Sequence, residues 1–161
     1  MKTVRFGSFR YVGDPVNTCR IFNELEVDEL IFLDISASRE RREPDYGLLT
    51  DIAGECFMPV VYGGGIASCR MAERVLRSGF EKIAVNTSAL RNPGLVSELA
   101  EEFGSQSVIV SIDVKRNPFG TYRCRGMSGR LRTAMSPMAW AREAEKRGAG
   151  ELLLTAIDRE G

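Results

Sequence analysis

The chain has 161 residues, 43% of them hydrophobic, and its 22 basic residues balance its 22 acidic residues. This length suits a single domain over residues 1–161, and the balanced charge gives no overall basic field, so we expect a small metabolite or a protein partner rather than nucleic acid or a membrane. The sequence contains no histidine, which excludes Ser-His-Asp and Cys-His hydrolysis and histidine-ligated metal catalysis, and we expect neither a metal nor a cofactor.

Short apolar runs alternate with helical patterns along the chain. After an extended piece at 2–6, Asp14 and Pro15 predict a helix that runs to about Leu25, with Asp14 as its N-cap. Runs of strand length then lie at 30–33, 59–62, 82–85, 108–112 and 152–156. Helices are predicted at 43–54, 68–78, 92–103 and 137–147, and a polar loop at 36–42. This alternation predicts a parallel sheet.

The spacing of these elements predicts a barrel that extends beyond the chain. Five β-α repeats of roughly 25 residues are begun, whereas a complete (β/α)8 barrel takes about 250 residues. The predicted fold class is therefore α/β, an incomplete (β/α)8 TIM barrel with the opening strand and the last units missing. The segment 29–35 also resembles 151–157. If this marks a duplication, a second acidic strand end is expected upstream of Met1.

The strand at 108–112 leads into the most informative residues. Asp113 lies at its C-terminal end, where a barrel enzyme keeps its acid–base groups, so we expect Asp113 to be catalytic. Lys115 and Arg116 follow, and the polar stretch 115–132 predicts an inserted hairpin or a mobile loop that covers the site. Asp34 ends an earlier strand at the same edge. An aspartate at such a position can instead cap the loop that follows it.

Two neighbouring strand ends carry features of a phosphate site. Gly63, Gly64 and Gly65 lie between a strand and a helix, where backbone N–H groups can hold a phosphate with no side chain in the way. Asn86 and Thr87 end the next strand. Because parallel strands present their C-terminal ends at one edge, both groups can face one anion. Three adjacent glycines are also typical of a tight turn.

Charged residues begin three strands at the opposite edge, at Glu29, Lys82 and Glu151. Side chains from alternate strands share a layer inside a barrel. These charges can be solvated strand ends, or they can form a ring of ion pairs around the lower mouth. Both interpretations stay open on the chemistry alone.

The remaining features concern the cellular compartment. The four cysteines lie far apart with no C-x-x-C pair, which suits reduced thiols in the cytoplasm rather than a zinc site or a redox motif. The sequence shows neither a signal peptide nor an apolar run of membrane length. We therefore expect a cytoplasmic protein.

Several motifs match one known family in the correct order. They are Gly13-Asp14-Pro15, the segment 28–35, Gly63-Gly64-Gly65-Ile66, Asn86-Thr87, and the segments 103–106, 111–116, 146–151 and 157–159. Nearly end to end, the chain resembles HisF, the cyclase subunit of imidazole glycerol phosphate synthase. The resemblance implies a (β/α)8 barrel that receives ammonia from a glutaminase subunit in a heterodimer. It also implies a histidine-biosynthesis reaction that converts a substrate with two phosphates into imidazole glycerol phosphate and an aminoimidazole carboxamide ribotide.

The resemblance also implies roles for individual residues. Asp113 matches the second of the family's two catalytic aspartates, and the first belongs to the missing opening strand. Lys2 matches a loop lysine that contacts substrate. Together with the strand-end residues identified above, the predicted substrate and phosphate set is Lys2, Asp34, Gly64, Gly65, Asn86, Thr87, Glu160 and Gly161. The charges at Glu29, Lys82 and Glu151 match the gate through which ammonia enters from the partner.

Departures from the family pattern leave other functions open. The segments 2–6, 11–13, 42–46 and 55–59 look closer to a HisF paralogue that works with an amidotransferase in acetamidino modification of surface sugars. Glu160 also replaces an aspartate usual in the family, and the other phosphate site lies mostly beyond Gly161. A related barrel isomerase that needs no glutaminase is a second alternative. A binding scaffold without activity is a third, because the chain lacks an aspartate, one phosphate site and barrel closure. Its exposed strand edges would be prone to pairing or aggregation.

Overall fold

The computed structural model describes residues 2–4, 6, 8–10 and 14–159, and for 2–4 and 8–10 it describes the backbone alone. In chain order the strands are β1 (Lys2–Val4), β2 (Ser8–Arg10), β3 (Leu30–Leu33), β4 (Val60–Gly63), β5 (Lys82–Val85), β6 (Val108–Arg116), β7 (Tyr122–Gly126), β8 (Leu131–Arg132) and β9 (Glu151–Ala156). Near the N-terminus β1 and β2 form an antiparallel pair. The sequence predicted only one extended piece there.

The main sheet is a curled half-barrel. Within the described residues, five parallel strands lie side by side in the order β3-β4-β5-β6-β9. Parallel neighbours of this kind require crossover connections, and helices supply them here. The arrangement confirms the predicted α/β class and the partial TIM barrel.

Helices cover the outer face of the sheet. They are α1 (Pro15–Glu24), α2 (Ala37–Glu40), α3 (Tyr46–Glu55), α4 (Cys69–Arg77), α5 (Thr87–Arg91), α6 (Gly94–Phe103) and α7 (Pro137–Lys146). The predicted N-cap of α1 is confirmed, because the Asp14 carboxylate accepts a hydrogen bond from the Asn17 N–H. Within the described residues no helix is long and apolar enough to cross a membrane, which takes about 20 residues.

Two short helices contradict the predicted boundaries. The loop predicted at 36–42 contains α2, and the helix predicted at 92–103 begins only at Gly94 because α5 occupies 87–91. Pro93 separates α5 from α6. A proline has no N–H to donate and disfavours helical geometry in the residue before it, so a continuous helix through 92–93 is unfavourable.

The predicted inserted hairpin is confirmed. Strand β6 continues past the barrel edge to Arg116, and β7 returns antiparallel to it, with Lys115 opposite Arg123 and Asp113 opposite Arg125. Strand β8 adds a third, short member to this ladder. On its other side, β6 still pairs with β9 as far as Val114.

Successive side chains of β6 point to opposite faces of the sheet. The strand therefore contributes to two separate apolar clusters, one on each face. Its even-numbered residues from Val108 to Val114 pack toward the helices, in the same cluster as the fully buried Trp140. Its odd-numbered face points into the barrel, where Ile109 packs with Val61 and Ala84. Asp113 lies on this inner face, and the alternation therefore aims its carboxyl group at the barrel mouth.

Candidate functional site

A cavity of about 660 Å³ opens at the C-terminal ends of the parallel strands. Its lining includes six of the residues predicted from sequence, namely Asp34, Gly64, Gly65, Asn86, Thr87 and Asp113. The structure thus brings together groups that are separated by up to 79 positions in the chain. Of the other predicted binding residues, Lys2 lies in β1 with its side chain outside the description, and Glu160 and Gly161 lie outside the described residues.

Asp113 is half-buried beside Asn86. The Asn86 side-chain amide donates a hydrogen bond of 2.7 Å to a carboxylate oxygen of Asp113. Burial raises the pKa of Asp113 to about 6, and the hydrogen bond from Asn86 opposes that rise only in part. A carboxyl group with a pKa near neutrality can both take up and release a proton at physiological pH.

Asn86 carries a second buried polar atom, its side-chain oxygen. This oxygen has no hydrogen-bond partner among the described residues. An unsatisfied buried acceptor is costly. Asn86 also lines the cavity, so it joins the Asp113 carboxylate to the cavity wall.

The glycine turn after β4 is built so that no side chain fits there. Gly64 has a φ of +139°, and a Cβ on it would lie 2.6 Å from the carbonyl oxygen of Asp34. Gly65 has a φ of +70°, and its Cβ would lie 2.6 Å from the carbonyl oxygen of Arg42. Glycine is thus required by conformation and by space. The turn leaves backbone at the cavity wall, and its role as a phosphate cradle stays a prediction.

Two hydrogen bonds attach the hairpin to residues beside the cavity. The Met127 N–H donates to the Thr87 hydroxyl at 2.8 Å, and the Ser128 hydroxyl donates to the Ile35 carbonyl at 2.7 Å. Ser128 also lines the cavity, as do Ser111 and Thr155. Sequence reasoning did not identify these three hydroxyl residues. The inner-face alternation of β6 could have indicated Ser111, but Ser128 depends on how the hairpin folds over.

Asp34 adopts the capping role that the sequence left open. One carboxylate oxygen accepts hydrogen bonds from the Ser36 N–H, the Ser36 hydroxyl and the Ala37 N–H, and the other accepts from Arg42 at 2.8 Å. Burial alone would raise the pKa of Asp34, but these hydrogen bonds outweigh it and lower the pKa. Asp34 therefore stays ionised and orders the loop beside the cavity, and its predicted contact with substrate stays a prediction.

The opposite edge of the sheet carries an ion-pair cluster. The Lys82 ammonium lies 2.7 Å from a Glu29 carboxylate oxygen and 2.6 Å from one of Glu151. Hydrogen bonds to Glu151 and Glu29 raise the pKa of Lys82. Of the two interpretations open from sequence, the structure shows the ion pairs, and their function as an ammonia gate stays a prediction.

A family model described as "Histidine biosynthesis protein" matches residues 1–161, the whole chain. The chain belongs to this histidine biosynthesis family. Membership in this family explains why several strand-end motifs occur in the same order along the chain. A single glycine motif would be too unspecific to indicate the family.

Curated relatives in this histidine biosynthesis family match the chain over its full length. The chain is 48% identical to a putative imidazole glycerol phosphate synthase subunit hisF2 of Pseudomonas aeruginosa and 44% identical to a putative subunit hisF3 of Vibrio vulnificus. It is 38% identical to the imidazole glycerol phosphate synthase subunit HisF of Alkaliphilus metalliredigens. All of the chain is covered in each case, and it spans 64%, 62% and 64% of the length of these relatives.

Replacing Lys82 with methionine tests how much this family member depends on the cluster for stability. The side chains of Lys82, Glu29 and Glu151 are 23%, 28% and 46% exposed, so solvent screens the attraction in part. We expect Lys82→Met to lower the free energy of unfolding by about 1 kcal/mol at low salt, and by less at high salt. Urea denaturation measures both values.

The control for this prediction is Arg77→Met, which removes an exposed ion pair with Glu73 within one helix. We expect it to have almost no effect. A Lys82→Met protein as stable as the Arg77→Met protein at low salt would contradict a structural contribution from the cluster.

Proposed function

We propose that the chain forms part of an ammonia-dependent cyclase subunit of the imidazole glycerol phosphate synthase type, acting in histidine biosynthesis. The observation that carries the proposal is that Asp113 and the glycine turn share one cavity at one end of the sheet, while the Lys82 cluster lies at the other end. A barrel enzyme of this kind needs a binding site above and an entry for ammonia below. Family membership and the HisF relatives support the same assignment.

In this proposal the upper edge binds a phosphorylated substrate. The backbone at Gly64 and Gly65, with Asn86 and Thr87 on the next strand, holds one phosphate. Asp113 then moves protons as the nitrogen enters the substrate, since its pKa of about 6 permits both protonation states. Asn86 fixes the Asp113 carboxylate by its 2.7 Å hydrogen bond. No cofactor is needed for these steps.

We further propose that a glutaminase subunit docks at the lower edge, forming a heterodimer. Ammonia would enter past Glu29, Lys82 and Glu151 and reach the upper site through the barrel. The support is the position of these charges at the N-terminal ends of their strands, opposite the cavity. We also propose a cytoplasmic location, which agrees with four free thiols, at positions 19, 56, 69 and 124.

The test is an assay of the complete protein with ammonium salt and the histidine-pathway substrate. We expect ammonia-dependent formation of imidazole glycerol phosphate, and turnover of glutamine once the glutaminase is added. Turnover of the preceding intermediate without ammonia, and no binding of a glutaminase, would instead indicate the isomerase. Absence of turnover on any of these substrates would leave a binding scaffold.

A second candidate is the HisF-like paralogue that works with an amidotransferase in acetamidino modification of surface sugars. The observation that favours it is the sequence of the segments 2–6, 11–13, 42–46 and 55–59, which look closer to that paralogue. Reaction of a sugar substrate with ammonium, together with no turnover of the histidine-pathway substrate, would select this candidate.

A further inference from the structure

Ser111 carries a buried hydroxyl inside the half-barrel. It lies on β6 two residues before Asp113, and its side chain points to the same inner face. The residue is 7% exposed, and it lines the cavity that also holds Asp113. Two residues along a strand span about 7 Å, so Ser111 lies roughly that far below Asp113 in the barrel.

The Ser111 hydroxyl has no hydrogen-bond partner among the described residues. Unlike the side-chain oxygen of Asn86, it is not sealed off completely. The surface that it keeps belongs to the cavity wall. A hydroxyl can donate one hydrogen bond and accept two, so this one can bind a small polar molecule in the cavity.

An apolar layer lies directly below Ser111. It consists of one side chain from each of the parallel strands, Ile31, Val61, Ala84, Ile109 and Leu153. Residues two apart on a strand share a face, so the next inward positions after Val61 and Ile109 are Gly63 and Ser111. Because Gly63 has no side chain, Ser111 supplies the polar group of these two strands at this level.

The Lys82 cluster lies on the other side of the apolar layer. Glu29, Lys82 and Glu151 each precede an apolar residue of this layer by two positions. From the lower edge upward, the described interior is therefore charged, then apolar, then polar at Ser111, and then acidic at Asp113. A molecule that enters at the cluster and crosses the apolar layer meets Ser111 before it meets Asp113.

We propose that the Ser111 hydroxyl binds ammonia as it leaves the apolar layer, and holds it below the atoms on which Asp113 acts. This inference rests on the proposed function, because it assumes that ammonia enters at the lower edge. Ammonia has N–H donors and an acceptor lone pair, which match the donor and acceptors of a hydroxyl. A carboxylate at this level would favour ammonium, which has no lone pair with which to attack, whereas a neutral hydroxyl does not.

The test compares two Michaelis constants of the complete protein. Ser111→Ala removes the hydroxyl and little else. With the phosphorylated substrate saturating and ammonium salt varied at one pH, we expect kcat/KM for ammonium to fall about 3- to 10-fold through a higher KM, as for the loss of one hydrogen bond. The KM for the phosphorylated substrate and the kcat at saturating ammonium should not change. The midpoint of thermal unfolding should not fall, because the hydroxyl bonds to no described group.

Two further variants serve as controls. Ser111→Thr keeps a hydroxyl on the same carbon atom and is expected to restore most of kcat/KM for ammonium. Ser97→Ala makes the same chemical change on α6, outside the cavity, and is expected to leave both Michaelis constants unchanged. If the sugar substrate of the second candidate is the one that reacts with ammonium, the same comparison applies with that substrate.

Three results would overturn the inference. The first is a KM for ammonium in Ser111→Ala equal to that of Ser97→Ala. The second is a rise in the KM for the phosphorylated substrate instead, which would show that the hydroxyl binds that substrate. The third is an equal loss in Ser111→Thr, which would show that the hydroxyl is not the cause. In all three, wild-type turnover with ammonium leaves the proposed function standing. A wild type that turns over neither substrate with ammonium would refute the proposed function and the inference together.

Discussion

Replacing Asp113 with asparagine in the complete protein is expected to lower kcat with ammonium salt by roughly 10²- to 10⁴-fold, the usual contribution of a positioned acid–base group. Asparagine keeps the size of the side chain and can still face Asn86, but it cannot take up or release a proton. The value of KM should change much less, since the phosphate cradle is untouched. Steady-state kinetics with ammonium salt measure both constants.

The control is Asp51→Asn on α3, where the side chain is exposed. It is expected to leave kcat unchanged. An Asp113→Asn enzyme with kcat within a factor of two of the Asp51→Asn enzyme would refute an acid–base role for Asp113.

The same substitution is expected to raise stability at neutral pH. Burial raises the pKa of Asp113 to about 6 in the folded protein, above its ordinary value of 3.8, so the folded state binds the proton more tightly than the unfolded state. The stability that this provides is fully present below pH 3.8 and is lost as the pH rises through 6. Because the side chain is partly exposed, we expect Asp113→Asn to add about 1–2 kcal/mol at pH 7.5 and almost nothing at pH 3.5. Urea denaturation at the two pH values measures the difference.

Replacing Gly65 with alanine is expected to abolish measurable phosphate binding and to cost at least about 2 kcal/mol of stability. A positive φ of +70° is unfavourable for alanine, and the added Cβ would lie 2.6 Å from the Arg42 carbonyl oxygen. The backbone must shift to relieve this contact, and the shift moves the amides that line the cavity. Urea denaturation and calorimetry with inorganic phosphate measure the two effects.

Gly54→Ala is the matched control. Gly54 lies inside α3, and a Cβ there would meet no atom within 4 Å. Alanine is favoured over glycine in a helix, so we expect this variant to gain about 0.5–1 kcal/mol and to bind phosphate normally. A Gly65→Ala protein that behaves like Gly54→Ala would show that the glycine turn is not a constrained phosphate cradle.

The regular elements of the fold were predictable because their signals are local. The bounds predicted for β3 and β5 are those observed, and the Asp14 cap and the Pro137 start of α7 were read from one or two residues each. The alternation of strands and helices was enough to predict parallel order. A single strand-end aspartate was also sufficient to select Asp113 as a candidate.

The contacts that assemble the site were not predictable in the same way. The hydrogen bond from Asn86 to Asp113 joins residues that are 27 positions apart in the sequence, and the one from Ser128 to the Ile35 carbonyl joins residues that are 93 positions apart. These depend on the sheet register and on how the hairpin folds over the mouth, which no short pattern encodes.

The most direct test of the central claim, one anion site at the upper edge of the half-barrel, is a titration of the isotope-labelled complete protein with inorganic phosphate, followed by amide NMR. We predict saturable shifts concentrated at Gly64, Gly65, Asn86 and Thr87, with small changes at the Lys82 cluster on the opposite edge. Shifts that are absent from these four residues, or that are largest elsewhere in the protein, would contradict it.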